Sequence, residues 1–415
     1  MTFIDCSLKQ ISFDIAEKTT FQQQVLEQFS SIPNLVFINK NSSETNLIAI
    51  ANSSNTKKNG WQFGFVSYDY KNQIESQLNS NNTDHIQFAE KHFFSPELLF
   101  EIKDNEVVIY YETTIYTAAQ VAELFNEIVA IELETSTNQN IKITPRLTKA
   151  AYLEKVKALQ QHIQLGDIYE VNFCQEFYAE QVQINPINLY LKLNEKSPTP
   201  FSCFVKHNDN YLLCASPERF IKKVGDKIIS QPIKGTIKRG ETKAEDEALK
   251  EQLKNDPKER SENVMIVDLV RNDLSKIAQK ASVNVDELCG IYTFPQVHQM
   301  ISTVSANLKS DIGFEDILNA TFPMGSMTGA PKVRAMELIE DYETTKRGLY
   351  SGTVGYIDEN GDFDFNVVIR SIVYNKKNNY LSYMVGGAIT ALSNPEKEYE
   401  ECLLKAKAML EVLSE

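Results

Sequence analysis

The least expected residue of the sequence is Lys234, in the stretch PIKGTIKRG (232–240). It follows an apolar-alternating run that ends at Ser230, so the pattern predicts that its amine leaves a strand end at a Gly-Thr turn. A lysine at such a junction is typically a solvated surface residue. The stretch by itself therefore gives no reason for a cation at this position.

Two predicted helices carry glutamates three residues apart. Glu259 and Glu262 share one face of the helix in EQLKNDPKERSENVMIVDLVRNDL, and Glu398 and Glu401 repeat the spacing in the last helix, with Lys405 four residues further along. A carboxylate pair at this spacing can hold a hard cation, although an ordinary solvated helix face is the alternative. The sequence permits a magnesium site shared with an anionic ligand.

Tyr350 and Arg370 stand at the two ends of a predicted hairpin. Arg370 interrupts an apolar strand, where a lone guanidinium is costly unless it pairs with an anion. A structural salt bridge is the equal alternative. Gly386 and Gly387, in VGGAIT, offer a ligand close approach to the backbone, but a β-bulge would explain them too.

These residues need a scaffold of both strands and helices. Thr148 is suited to cap a helix that Gly166 ends, and Pro257 fits the first turn of another helix. Runs of strands and helices that do not alternate strictly predict an α+β protein with mostly antiparallel sheets. We expect an amino-terminal strand-rich region at 1–135 and a second region, with most of the candidate residues, at 145–415.

The composition is that of an ordinary globular protein of 415 residues, 42% of them hydrophobic. With 42 basic and 56 acidic residues the formal charge is -14, which disfavours nucleic acid and anionic membranes as partners. The sequence has neither a signal-peptide pattern at its start nor a run of about 18 apolar residues. Six separated cysteines indicate neither a zinc ribbon nor a disulfide framework, so we expect a cytoplasmic location.

Seven segments, in order over about 240 residues, resemble the chorismate-utilising enzymes, the family of anthranilate synthase component I, aminodeoxychorismate synthase component I and the isochorismate and salicylate synthases. The resemblance implies the α+β fold of anthranilate synthase component I: two packed antiparallel β-sheets flanked by helices, with the site in a cleft between the sheets. The matching segments are GDIYEVNFCQEF (166–177), SPERF (216–220), PIKGT (232–236), ENVMIVDLVRNDLSKIA (262–278), PMGSMTGAPKVRAMELI (323–339), RGLYSGTVGY (347–356) and GGAITALSNPEKEYEECLLKA (386–406).

The resemblance also implies a cofactor and its ligands. Mg²⁺ would be held by Glu262 and Glu401, with Glu259 and Glu398 supporting it through the metal's waters, and the metal would hold one carboxylate of chorismate. Glu218 would be the general acid that protonates the departing ring hydroxyl. The residues implied to contact the substrate are Tyr350, Arg370, Thr236, Gly386, Gly387 and Lys405.

The same resemblance accounts for Lys234. PIKGT is similar to the aminodeoxychorismate synthases, in which this lysine is a nucleophile, whereas anthranilate synthases usually read PIAGT. The amine would add to ring carbon 2 as the 4-hydroxyl leaves, and ammonia would then attack carbon 4 and expel the lysine. The product would be 4-amino-4-deoxychorismate, the precursor of 4-aminobenzoate and folate. Such a step requires a neutral amine, so we expect burial to lower the lysine pKa from about 10.4. We also expect burial to raise the pKa of Glu218, unless Glu218 takes its proton from the lysine itself.

Two further positions help to choose among the relatives. Glu170 stands where the isochorismate and salicylate synthases have a lysine that activates water, so water addition is not expected. Gln299 stands where many relatives have histidine, and His298 lies one place earlier. The absence of that histidine suits an enzyme that stops at aminodeoxychorismate without eliminating pyruvate.

The ammonia must come from another protein. A glutaminase would need a cysteine nucleophile on a Gly-x-Cys-x-Gly-like elbow, and none of the six cysteines has that setting. A separate glutamine amidotransferase subunit is therefore the implied partner. Anthranilate synthase component I, of tryptophan biosynthesis, is the alternative activity, and a non-catalytic paralogue of the same fold is the alternative outside enzymes.

Overall fold

A computed structural model describes residues 8–41, 45–57, 60–133, 140–294 and 297–414. Cys6 and part of the stretch between the two predicted regions lie outside these ranges. The helices described are α1 (Lys18–Gln28), α2 (Lys71–Ile74), α3 (Ala118–Val129), α4 (Lys149–Leu165), α5 (Pro186–Lys196), α6 (Lys243–Asn255), α7 (Pro257–Ile277), α8 (Phe314–Thr321), α9 (Lys332–Tyr342) and α10 (Pro395–Ser414).

The strands form two sheets, and within the described ranges every ladder between strands is antiparallel. The strands are β1 (Lys9–Asp14), β2 (Asn34–Asn39), β3 (Asn46–Ala51), β4 (Gln62–Val66), β5 (Lys91–Phe94), β6 (Leu98–Lys103), β7 (Glu106–Tyr111), β8 (Thr144–Pro145), β9 (Glu170–Ala179), β10 (Phe201–His207), β11 (Asn210–Ser216), β12 (Arg219–Val224), β13 (Lys227–Gln231), β14 (Ile233–Lys238), β15 (Asn284–Thr293), β16 (Val297–Asn307), β17 (Gly329–Ala330), β18 (Thr353–Ile357), β19 (Phe363–Asn366), β20 (Ser371–Asn375) and β21 (Tyr380–Ile389).

The large sheet has 12 strands, in the order β1-β7-β6-β3-β2-β10-β11-β20-β21-β9-β17, with β8 paired to β9. The small sheet has nine, in the order β14-β16-β13-β12-β19-β18-β4-β5, with β15 paired to β16. The predicted fold class, two antiparallel sheets with helices, is confirmed.

The core explains why strands of the large sheet are apolar on both faces. In β2, Leu35 and Phe37 pack towards the helices, whereas Val36 lies with Phe63 and Phe65 of the small sheet in the layer between the sheets. Successive side chains of a strand point to opposite faces, so a strand covered on both sides reads as a continuous hydrophobic run. The sheets therefore pack face to face, and helices cover the outer face of the large sheet.

Two helices bring the candidate metal ligands to the site from different sheets. Helix α7 packs on β14 and β16 of the small sheet, and α10 packs on β21 of the large sheet. The start of α7 follows from its sequence: Asp256 caps it by accepting hydrogen bonds from the amides of Lys258 and Glu259, and Pro257 takes the first position. The glutamate pairs thus lie on opposite sides of one cleft.

Helix α4 has the predicted ends. The Thr148 hydroxyl accepts a hydrogen bond from the Ala151 amide at 3.2 Å, and Gly166 ends the helix with φ +81°. The predicted turn after Lys234 is wrong, because β14 continues through it. Gly235 has φ +93°, and the ladder to β16 is irregular between Ile233 and Thr236, so a bulge in the strand takes the place of the turn.

The two predicted regions share both sheets. Strand β2 of the first region pairs with β10 of the second, and β4 pairs with β18. The division into 1–135 and 145–415 stays a prediction. No helix in the described part of the chain has the length and apolar character needed to cross a membrane.

Candidate active site

Lys234 is buried inside β14 with 9% of its surface exposed, so the interpretation as a solvated surface residue is wrong. Its Nζ donates a hydrogen bond of 2.7 Å to Oε1 of Glu170, at the start of β9. Glu170 is 1% exposed. Because β14 belongs to the small sheet and β9 to the large one, this ion pair joins the two sheets inside the cleft.

The pKa of Lys234 is shifted against the sequence-based expectation. Burial lowers this pKa, but the carboxylates of Glu170, Glu262 and Glu218 together raise it by more, so it lies above its ordinary value. The expectation considered burial alone, and it missed a carboxylate 64 residues away in sequence. At rest, the amine is therefore an ammonium group in a buried ion pair.

Glu218 lies between β11 and β12 and is 4% exposed. The Ser326 hydroxyl donates a hydrogen bond of 2.7 Å to its Oε1. Burial raises the pKa of Glu218 to about 7, against the hydrogen bonds from Ser326 and the Ile233 amide and the charges of Lys234 and Arg370. The direction agrees with the expectation for a general acid, which must hold a proton near neutral pH.

Arg370 precedes β20 and has φ +50°, a conformation that is uncommon outside glycine and is enriched at functional sites. Burial lowers the pKa of its guanidinium, and Glu218 opposes this shift. In the ranges that the structure describes, the guanidinium has no carboxylate within 4.0 Å, so the alternative of a structural salt bridge lacks a partner there. Tyr350 is 5% exposed, its hydroxyl lies 3.6 Å from the Cys174 Sγ, and burial raises its pKa.

Gly386 and Gly387 lie in the interior of β21, opposite Cys174 and Phe173 of β9, so they form neither a turn nor a bulge. The Gly386 carbonyl accepts a hydrogen bond of 2.9 Å from the Lys405 Nζ. In an antiparallel strand the N–H and C=O of one residue point to the same side. The Gly386 amide therefore points away from β9 and is available to a ligand.

Gly387 keeps the space in front of α10 open. A Cβ at this position would lie 3.5 Å from Glu398 Oε2, 3.7 Å from Lys405 Nζ and 4.0 Å from Glu401 Oε1. Lys405 also pairs with Glu401 at 2.8 Å. A side chain at Gly387 would occupy the volume between the strand and these charged groups.

The four glutamates of α7 and α10 form one acidic cluster. Glu262 and Glu398 are 5% and 3% exposed, and the charge of Glu259 interacts with those of Glu262 and Glu401. Lys258, which the sequence analysis missed, lies between the helices: its Nζ is 3.2 Å from Glu398 Oε1 and 3.6 Å from Glu262 Oε1. The cluster thus joins both helices through carboxylates and one ammonium group.

The cluster fits Mg²⁺ by its chemistry. Oε1 of Glu262 is buried and has no hydrogen-bond partner in the described part of the chain, with Lys258 Nζ 3.6 Å away. Burial raises the pKa of Glu262 to about 7 even with Lys234 and Lys258 nearby, a destabilisation that a divalent cation would relieve. Within the described ranges, no three acidic, histidine or cysteine side chains are grouped closely enough to hold an ion by themselves. Two carboxylates completed by waters and an anionic ligand are the shell that Mg²⁺ accepts.

Thr236 is exposed and lies opposite Gln299 of β16. Gln299 is buried, and its Oε1 has no hydrogen-bond partner among the residues that the structure describes. His298 precedes Gln299 in the strand and points to the other face. There its Nε2 lies 2.9 Å from Asp246 Oδ1 and its Nδ1 lies 2.9 Å from the Thr293 hydroxyl. His298 therefore does not replace the histidine that many relatives have at position 299.

A buried ion pair below the site was missed by the sequence analysis. Arg347 and Glu343 are 2.6 Å apart and almost fully buried. Arg347 donates to the carbonyls of Met327 and Asn172, at 2.7 and 2.8 Å, and Glu343 accepts from the Cys174 amide. These bonds connect β9 to the loop that contains Ser326, whose hydroxyl donates to Glu218. The i, i+4 spacing of glutamate and arginine was the only sequence signal.

Comparison with known proteins places these residues in a family. Residues 9–411 match the family described as chorismate binding enzyme. The chain is 33% identical over 372 residues to aminodeoxychorismate synthase component 1 of Bacillus subtilis, covering 85% of this chain and 77% of that protein. It is 33% identical to anthranilate synthase component 1 of Lactococcus lactis, with coverages of 84% and 77%.

A longer relative is matched in part. The chain is 43% identical over 271 residues to the probable chloroplastic aminodeoxychorismate synthase of Oryza sativa, covering 65% of this chain and 30% of that protein. The chain thus matches about a third of the length of the plant and fungal relatives.

Solved structures show the same fold over nearly the whole chain. Anthranilate synthase component I of Streptococcus pneumoniae aligns with a TM-score of 0.76 at 24% identity, over 99% of this chain and 93% of that one. The menaquinone-specific isochorismate synthase of Escherichia coli aligns with a TM-score of 0.78 at 15% identity, over 99% and 96%. The match over residues 9–411, together with the Bacillus subtilis relative, shows that the chain belongs to the chorismate binding enzyme family.

Proposed function

We propose that this chain is the chorismate-aminating component of an aminodeoxychorismate synthase. The observation that carries the proposal is the buried amine of Lys234. Its charge interacts with those of the candidate acid Glu218 and the candidate metal ligand Glu262. Several relatives are named aminodeoxychorismate synthase, among them the Oryza sativa protein, which is 43% identical over 271 residues. An amine in this place can act as the nucleophile on a bound ring.

Chorismate has two carboxylates, and the site offers a separate group of residues for each. Glu262 and Glu401 would hold Mg²⁺, with Glu259 and Glu398 acting through its waters, and the bound ion would supply positive charge for one carboxylate. The support for this assignment is the unpartnered Glu262 oxygen and the space that Gly387 leaves in front of α10.

The other carboxylate would lie against a second group of donors. Arg370 offers a guanidinium, Tyr350 offers a buried hydroxyl, and the Gly386 amide points away from β9. Lys405 adds a second cation beside that amide. Thr236 would line the entrance. Two fixed carboxylates would orient the ring before the reaction.

The proposed reaction proceeds in two substitutions. Lys234 adds to ring carbon 2 while Glu218 gives its proton to the 4-hydroxyl, which leaves as water. Ammonia then attacks carbon 4, and the carbon–nitrogen bond to the lysine breaks. The pKa of Glu218, about 7, supports its assignment as the acid.

The proposed partner is a separate glutamine amidotransferase that supplies the ammonia. The five cysteines of the described ranges are all buried, as expected of packing residues and not of a glutaminase nucleophile. Free ammonia should replace glutamine and the partner in a test, at lower efficiency.

The product assay separates this proposal from anthranilate synthase, which the Lactococcus lactis relative keeps as the second candidate. The chain is incubated with chorismate, MgCl₂ and an ammonium salt, and the products are separated by chromatography. We expect 4-amino-4-deoxychorismate, lost in Lys234→Ala and retained in Lys238→Ala, a change at an exposed lysine of the same strand. Fluorescent anthranilate as the product, with no second enzyme present, would overturn the proposal.

A calorimetric titration addresses a non-catalytic role. We expect chorismate to bind only when magnesium is present, because one of its carboxylates would meet the acidic cluster without the ion. No magnesium-dependent binding would favour a non-catalytic paralogue.

A further inference from the structure

The ion pair of Lys234 raises a question that the proposed reaction leaves open: where the lysine proton goes. A nucleophilic amine must be neutral, yet Nζ donates a 2.7 Å hydrogen bond to a carboxylate. A Glu218 that already holds its proton for the 4-hydroxyl has no site for a second one, and among the described residues no hydrogen bond joins Glu218 to Nζ. The acceptor is therefore sought among the groups that contact Nζ.

The contacts of Nζ point to one acceptor. In the described part of the chain, Glu170 Oε1 is the only oxygen recorded within hydrogen-bond distance of Nζ. The charges that interact with the amine come from β9 (Glu170), the segment before β12 (Glu218), α7 and α10; the groups on the two helices are Glu259, Glu262, Glu401 and Lys405. Glu218 already accepts from Ser326, and Glu262 lies closer to Lys258. The acceptor in contact is therefore Glu170.

The second oxygen of Glu170 adds an independent observation. Oε2 is buried and has no hydrogen-bond partner among the described residues, although the side chain is 1% exposed. A fully ionised carboxylate normally has its oxygens hydrogen-bonded when buried. An oxygen without a partner costs less when the carboxyl is neutral. Glu170 thus has one oxygen in contact with Nζ and a second oxygen that no other described group occupies.

We propose that Glu170 is a further catalytic residue, the group that takes the proton from Lys234 before the amine attacks the ring and returns it after the amine leaves. The inference rests on the proposed function. An Nζ–H bond breaks, and its proton goes to the Glu170 carboxylate. The Nζ lone pair forms the bond to carbon 2, and both ring double bonds shift, from C1=C2 to C1=C6 and from C5=C6 to C4=C5. The bond from carbon 4 to oxygen breaks, and the oxygen takes the proton of Glu218 and leaves as water.

The second substitution, by ammonia, restores the resting protonation states of the site. The lone pair of ammonia forms a bond to carbon 4, both double bonds shift back, and the electron pair of the bond to carbon 2 returns to Nζ, which leaves as a neutral amine. Glu170 returns its proton to that amine. The new ammonium group of the product loses one proton, which restores Glu218. The sum is chorismate plus ammonia giving aminodeoxychorismate plus water, with the resting ion pair restored.

The test measures the rate of adduct formation on Lys234 in a single turnover with chorismate and magnesium but no ammonia, by rapid quench and mass spectrometry from pH 6.5 to 9. Each variant rate is divided by the wild-type rate at the same pH, which cancels the titration of Glu218. Glu170→Gln keeps the shape and an acceptor oxygen but cannot take a proton. We expect its ratio to be about 0.01 at pH 7 and to rise nearly tenfold per pH unit, because hydroxide must then remove the proton.

Two further variants test a merely structural role. Glu170→Asp keeps a carboxylate and should give a reduced ratio that does not change with pH. Glu176→Gln, a buried carboxylate of the same strand that pairs with Arg146, should leave the ratio near one at every pH. Magnesium-dependent chorismate binding, measured by calorimetry, reports whether each variant is folded.

The outcomes separate the inference from the proposed function. A Glu170→Gln ratio near one, or one lowered equally at every pH, overturns the role of Glu170 and leaves the proposed function standing. If Glu170→Gln does not fold, a Glu170→Asp ratio that rises with pH overturns the role in the same way, and a constant ratio supports it. No adduct in the wild type overturns the role of Glu170 together with nucleophilic attack by Lys234, and the product assay then decides the proposed function separately.

Discussion

At the scale of single residues, neighbours of opposite charge decide the behaviour of the site more than burial does. Burial moves the pKa of Glu218 to about 7, as expected from the sequence. The same burial fails to lower the pKa of Lys234, because three carboxylates outweigh it. The family motif identified the lysine, but its partner Glu170 is brought to it by the packing of two sheets, which no local pattern encodes.

The ion pair makes a prediction about stability. Lys234→Met leaves Glu170 buried without its partner, so we expect the free energy of unfolding to fall by about 3 kcal/mol. The double variant Lys234→Met/Glu170→Gln removes the unpaired charge and should recover most of the loss. Urea unfolding of the four proteins of this cycle provides the measurement.

A surface pair supplies the control. Lys254 and Glu251 are more than half exposed, and Lys254→Met should cost less than about 0.5 kcal/mol. A double variant no more stable than Lys234→Met would contradict a strongly coupled pair.

The Ser326 hydroxyl should affect the pKa of Glu218, the candidate general acid. Its hydrogen bond lowers the pKa of Glu218 by stabilising the charged form, so Ser326→Ala should raise that pKa above about 7. The acid must be protonated to act, so the fall of kcat on the alkaline side should move to higher pH, by up to about one unit. Ser230→Ala, a buried serine that donates to the Phe220 carbonyl, should leave the profile in place. A shift to lower pH would contradict the assignment.

At the scale of secondary-structure elements, the sequence predicts helix ends well and the conformation around glycine less well. Thr148, Gly166 and Pro257 mark helix ends through local hydrogen bonds and fixed backbone angles, so local patterns suffice. Gly235 looks like a turn residue but forms a bulge, because β16 pairs with the strand on both sides of it. In β21, Gly386 allows close packing against β9, and Gly387 leaves space in front of α10. Both roles depend on elements distant in sequence, so no local pattern predicts them.

Gly387 allows a test of the proposed metal side. In Gly387→Ala the new Cβ would meet Glu398 Oε2 at 3.5 Å, which is ordinary contact, so the fold should persist. The methyl group would occupy space next to the ligands, and we expect magnesium affinity, measured by calorimetry with chorismate present, to fall about tenfold. Gly313→Ala is the matched control, since its Cβ would lie 3.6 Å from Asp316 away from the site. Equal affinities in the two variants would contradict the placement of the ion.

At the scale of the whole molecule, contacts between the two sheets hold the cleft in shape. Besides the apolar layer, two histidines meet there: the rings of His92 in β5 and His207 in β10 are 4.0 Å apart. Each ring has a nitrogen within hydrogen-bond distance of Asn34 Oδ1: Nε2 of His92 at 2.9 Å and Nδ1 of His207 at 3.1 Å. Burial and the neighbouring His207 lower the pKa of His92 to about 4. The fold class was predictable from the motifs, whereas this contact was not, because its strands are far apart in sequence.

The histidine contact makes stability depend on pH. His92 binds a proton below about pH 6.5 in the unfolded chain but only near pH 4 in the folded chain. The contribution of the neutral ring to the free energy of unfolding is therefore complete above pH 6.5 and is lost as the pH falls towards 4. Because the ring is only half-buried, we expect a loss of about 1–2 kcal/mol. The difference in urea unfolding between wild type and His92→Asn measures it, at pH 7.5 and 4.5. An equal pH dependence in both proteins would contradict this origin.

The most direct test of the proposed chemistry looks for the bond that Lys234 would form. The chain is mixed with chorismate and magnesium without ammonia, quenched with acid within a turnover and digested for mass spectrometry. We expect the peptide that contains Lys234 to gain the mass of chorismate less one water, and the gain to disappear when ammonia is added before the quench. An unmodified Lys234 in a preparation that converts chorismate to an aminated product would contradict nucleophilic catalysis by this residue.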